Sequence, residues 1–207
     1  MNDDIKGLRD DIAFMRALAE EGRAPPLLGG VTLVAAGVTF GLASLGQWTI
    51  VTGLVRATPL AYSVVWLAAT IIFVSILTVL RTRSTSMPGA HSPNNRAAGT
   101  AWAGVGWGIF TLAASVAVVG WRAHSPVPLM LLPSIVLALY GLGWSVAAAV
   151  SRQRWIWMTA IGSYLSALVM ALLSDQPVVY LVYAAALILL AALPGLILMR
   201  QEPSLTV

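Results

Sequence analysis

Ser145, in the run Gly143-Trp144-Ser145, has the Gly-x-Ser order that can present a hydroxyl as a nucleophile. Such a serine needs a base within hydrogen-bond reach, and the apolar stretch around it offers no His, Lys, Asp or Glu. His124 and Asp175 could meet on one face of the protein, but two ordinary loop residues make no catalytic set. A zinc protease wants His-Glu-x-x-His on a helix, and the sequence lacks it. Without cysteine there are no thiolate metal centres, disulfides or thiol nucleophiles. Both histidines, His91 and His124, lie outside the apolar stretches, so axial haem ligation has no donor within them. The residues assign no catalytic group, no cofactor and no metal, and an enzyme is the least supported class.

Composition explains why chemistry is so sparse. The chain has 207 residues, of which 58% are hydrophobic and 10% charged, where soluble proteins carry roughly 25% charge. Its net charge of +4 does not point to nucleic acid, because the basic residues flank long apolar runs. A helix crossing a bilayer needs about 20 apolar residues, and six runs meet that: Leu27–Val51, Leu60–Leu80, Thr100–Trp121, Val127–Val150, Trp155–Ser174 and Val178–Met199. None holds Asp, Glu, Lys, Arg or His, which disfavours proton- or ion-coupled transport. Runs of this length satisfy their backbone internally only as helices. The fold class read from the sequence is all-α, a polytopic membrane protein with a six-helix transmembrane bundle over 27–200.

Charge sets the expected orientation. Ten of the twelve Lys and Arg residues fall on one side of the six runs, and only Arg56 and Arg122 on the other. The positive-inside rule then places both termini in the cytoplasm of a cell, or inner, membrane. The charged N-terminus shows no cleavable signal, so the run beginning near residue 27 is expected to act as an uncleaved insertion signal. Residues 82–99, rich in Ser, Pro and Asn, read as a flexible cytosolic loop, and 201–207 as a cytosolic tail. Pro133 and Pro194-Gly195 should kink or unwind the fourth and sixth runs.

Small residues recur at helical spacing. Gly30, Gly37, Gly41 and Ser44 share a face of the first run, with Gly37 and Gly41 forming a GxxxG pair. Ala101, Gly104, Gly108, Thr111 and Ser115 do so in the third, and Ser134, Ala138, Gly141, Ser145 and Ala148 in the fourth. Ala160, Ser163, Ala167, Ala171 and Ser174 do so in the fifth. Such stripes let helix backbones approach closely in lipid; lining a ligand cavity is the alternative for Gly104–Gly108. Trp48, Trp102, Trp121, Trp155 and Trp157 fall near run ends, where interfacial belts belong. Trp66, Trp107 and Trp144 lie deeper, either as bundle packing or, with Tyr62, Tyr140, Tyr164 and Tyr183, as an aromatic pocket. The second and sixth runs, richest in Leu, Ile and Val, are expected to face outward.

The N-terminal segment, 1–24, is the exception. It holds six of the eight acidic residues and reads as an amphipathic helix ended by Pro25-Pro26. Ile5, Leu8, Ile12, Met15 and Leu18 form its apolar face. An interfacial helix wants a Lys- and Arg-rich polar face, whereas this one has four basic and six acidic residues. The face is therefore read as docking on protein: its own bundle, a second copy, or a cytosolic or membrane partner. Membrane lipids are the other expected partners. Function is read as a regulatory, sensory or anchoring membrane subunit, with a small uniporter, channel or flippase-like carrier as the alternative.

Overall fold

The computed structural model describes residues 9, 11–13, 15, 26–84 and 92–202. Among them the secondary structure is entirely helical, and six helices are long and apolar enough to cross a membrane. They are α1 (Gly30–Val51), α2 (Pro59–Ser84), α3 (Pro93–Arg122), α4 (Leu132–Ser151), α5 (Arg154–Leu172) and α6 (Val179–Gln201). A 3-10 turn, Val127–Leu131, leads into α4. Helix α6 is α-helical over Val179–Leu187, π-helical over Ile188–Ala192 and α-helical again over Leu193–Gln201.

Two antiparallel pairs carry the bundle, α4 with α5 and α1 with α6. Ser134 donates to the Ala167 carbonyl across the first pair, at 2.8 Å, and Ser44 to the Tyr180 carbonyl across the second, at 2.7 Å. The α4–α5 turn is Arg152-Gln153, with Arg152 in the left-handed region as C-cap. One core cluster joins α1, α3, α4, α5 and α6 around Trp144, and a second joins α4, α5 and α6 around Leu137 and Leu187. Helix α2 leans chiefly on α1, and α3 on α4.

Three expectations need correction. The loop read over 82–99 is shorter: α2 continues to Ser84, and α3 begins at Pro93. Ser92 caps α3 by accepting from the Asn95 amide at 3.3 Å, and Pro93 occupies the first turn, so polar residues open the helix before its apolar part. Pro133 does not interrupt α4; it sits in its first turn, directly after the 3-10 turn, where its missing N–H costs no hydrogen bond. Finally, α2 and α6 differ in placement. Only 6% of the α2 apolar window is buried, against 50% for α6, the most enclosed helix. Side-chain size decides this. Ala184, Ala186, Ala191 and Ala192 thin α6 on its packed sides, whereas α2 exposes Leu60, Val64, Leu67 and Ile71.

Candidate functional site

The α1–α6 seam is built by glycine. A Cβ on Gly37 would lie 2.7 Å from the Ala192 nitrogen and 2.8 Å from the Leu187 carbonyl oxygen. Gly30 and Gly195 face each other in the same way, with a Cβ on Gly195 only 2.7 Å from the Gly30 carbonyl oxygen. Backbone touches backbone at both crossings, which no other residue permits. Gly41 differs, because a Cβ there would meet the Ile188 side chain at 3.5 Å and the Ala184 carbonyl oxygen at 3.8 Å, both ordinary van der Waals contacts. Beside Gly41 runs an open apolar groove of about 500 Å³, walled by Val38, Leu42 and Leu45 of α1 and by Leu181, Ala185 and Leu189 of α6.

Helix α4 carries the aromatic centre. Trp144 is fully buried, and its indole N–H donates to the Leu190 carbonyl oxygen at 2.8 Å. Trp102 stands edge-on to both Tyr140 and Trp144, at 5.4 and 5.1 Å between centroids. Its ring also packs against Gly143, where a Cβ would come within 3.2 Å. Trp102 thus lies inside the bundle rather than in a terminal belt, because α3 starts at Pro93. Gly141 receives the Tyr164 ring, 2.6 Å from an added Cβ. Ser145 donates to its own helix at the Gly141 carbonyl and lies 3.3 Å from the Tyr164 hydroxyl, so its hydroxyl is engaged in packing.

The remaining sequence candidates are not gathered with these. Gly104 is exposed, with nothing within 4 Å of an added Cβ, and Gly108 meets only the Leu139 side chain, at 3.6 Å. Trp107 is 71% exposed and contacts Phe110 edge-on. Ile12 and Met15 are helical and exposed. Ile5, Leu8 and Leu18 lie outside the described residues.

Three polar residues escaped the sequence reading. At the end of the bundle where α1 begins, Glu202 Oε1 accepts from the backbone N–H of Gly29 and of Gly30, both at 3.0 Å. Gly29 is left-handed there, with φ 106°, which orients its amide toward the carboxylate. Asn95 Oδ1 accepts from the Leu28 amide at 2.9 Å, and its Nδ2 donates to the Pro26 carbonyl at 3.2 Å. One short segment, Pro26 to Gly30, is thereby tied to the start of α3 and the end of α6. The third residue, Gln47, is buried in α1, and its Oε1 has no hydrogen-bond partner. Its signal was available: it is the single Asn or Gln within the six apolar runs.

Among the described residues, no three His, Asp or Glu side chains gather as a metal site. The fold defines a class, an all-helical protein with six helices able by length and composition to span a membrane. No family model, no curated protein and no solved structure matches the chain.

Proposed function

We propose that the protein is a non-enzymatic integral membrane subunit with regulatory, sensory or anchoring work. Its bundle sits in the cell membrane with both termini in the cytoplasm, and its N-terminal helix docks on protein. The supporting observation for docking is the exposure of Ile12 and Met15 on helical backbone, 51% and 61%. An apolar pair exposed within so acidic a segment suits a protein groove better than an anionic leaflet. For membrane residence the support is the outward surface. Leu60, Val64, Leu67 and Ile71 of α2, with Trp107, Phe110 and Trp121 of α3, present apolar side chains that only lipid or another apolar surface would cover. The bundle's response is to lipid or a hydrophobic ligand.

Photo-crosslinkers at Ile12 and Met15 in cells test the docking. Adducts to a second protein, or to a second copy, are expected. Adducts confined to the chain's own loops would remove the docking reading.

A second reading is favoured by one observation, the π-helical interruption of α6 beside the α1–α6 groove. Interrupted helices lend backbone to substrate paths in carriers. A uniporter, channel or flippase-like carrier for an uncharged or amphiphilic substrate would show substrate-dependent tracer flux in proteoliposomes, and a regulatory subunit would show none.

A further inference from the structure

Gln47 is 2% exposed, and its carbonyl oxygen has no hydrogen-bond partner. Removing such an oxygen from water without a donor is costly, so its retention inside α1 calls for a reason. The surroundings supply one. Phe40, seven residues earlier on the same face of α1, meets the Phe73 ring of α2 at a tilt, 5.5 Å between centroids. In an antiparallel pair, moving seven residues outward on α1 matches moving seven back on α2, which brings Gln47 level with Trp66. Trp66 in turn contacts the Tyr183 ring of α6 at 6.4 Å. One turn below Gln47, Ser44 is spent on the Tyr180 carbonyl. An unused acceptor therefore lies at the level of electron-rich rings, four residues from the end of α1 at Val51.

We propose that Gln47 is the acceptor of a binding site for the primary-ammonium head group of a membrane lipid, entered between α1 and α2. An ammonium N–H completes the orphaned oxygen, and the Trp66 and Tyr183 rings favour its positive charge. No carboxylate is needed, which fits apolar runs without Asp or Glu. Position fits a head group, since Gln47 lies about one turn from the helix end opposite the termini. Access fits too: α2 has the least buried apolar window of the six and leans chiefly on α1. The site rests on the reading of the bundle as a membrane-embedded, lipid-responsive body, and not on docking by the N-terminal helix.

The test compares phosphatidylethanolamine with phosphatidylcholine of identical acyl chains, by native mass spectrometry and thermal unfolding of the full chain in detergent. The ethanolamine lipid has N–H donors and the choline lipid has none. The ethanolamine lipid is expected to bind about tenfold or more tightly than the choline lipid. Gln47→Leu is expected to abolish that difference while leaving the lipid-free protein at least as stable. Equal binding of the two lipids by the unaltered protein would overturn the site while leaving a lipid-responsive bundle standing. Binding of neither would remove both. A Gln47→Leu protein that keeps the ethanolamine preference, or that loses stability whether or not lipid is present, would also overturn it, the second by showing that the amide is held internally. Should that variant fail to fold, the comparison on the unaltered protein decides alone.

Discussion

The indole N–H of Trp144 donates to the Leu190 carbonyl oxygen, 2.8 Å away on another helix. Leu190 lies four residues before Pro194, which has no N–H to return to it. The same missing donor accompanies the change of register in which the Leu193 N–H reaches the Ile188 carbonyl, five residues back. A proline defect in α6 and a buried tryptophan in α4 are thus one structural unit. The Leu190 carbonyl is thereby satisfied inside the bundle.

That pairing predicts coupling between two positions fifty residues apart in sequence. Trp144→Phe keeps an aromatic ring but strands the Leu190 carbonyl, and is expected to destabilise by about 1–3 kcal/mol. In a Pro194→Ala background the backbone can supply the donor, so the same change should cost less. A double-mutant cycle by thermal or denaturant unfolding in detergent measures this. Additive effects would show that the two residues act independently.

The two glycines of the GxxxG pair should respond differently. Gly37→Ala forces a methyl into the α6 backbone and is expected to cost about 1–3 kcal/mol through overpacking. Gly41→Ala makes only ordinary contacts, with the Ile188 side chain at 3.5 Å and the Ala184 carbonyl oxygen at 3.8 Å, and should change stability little. Equal losses at both positions would contradict the seam.

Glu202 anchors the start of α1. Glu202→Ala leaves the amides of Gly29 and Gly30 without their acceptor and is expected to cost about 1 kcal/mol. Glu202→Gln keeps an oxygen but not the charge, and should fall between the two. Hydrogen exchange at Gly29 and Gly30 reads the effect directly, with faster exchange in the order Gln then Ala. Unchanged exchange in both variants would show that the carboxylate contributes nothing there.

Orientation is open to direct labelling, because the chain has no cysteine of its own. Single cysteines at Thr52 and His124 are expected to react with an impermeant maleimide on intact cells. One at Gln153 is expected to react only after permeabilisation. The reverse pattern would invert the proposed topology.

Much of the fold was legible in the sequence because a long apolar run admits one backbone solution. The six helices fall where the runs do, and the face of Gly30, Gly37, Gly41 and Ser44 is the one that meets α6. Polar helix ends were not legible, since a hydropathy reading counts Ser92-Pro93-Asn94-Asn95 as loop although it is a cap and first turn. That one shift carried Trp102 from an expected belt to a half-buried position packed against the core.

What the sequence determined by itself was therefore local: helix, length, and which side of each helix is small. Which helices meet was decided only in three dimensions. Leu and Ile content alone would send α6 outward with α2, yet its alanines and Gly195 let α1 approach to backbone contact, and α6 became the centre. Partnership was likewise a tertiary outcome. Nothing in the order of residues joins Trp144 to Leu190 or Glu202 to Gly29, because a hydrogen bond depends on donor and acceptor being brought to about 3 Å by packing. The same packing that satisfied those groups left the oxygen of Gln47 without a donor.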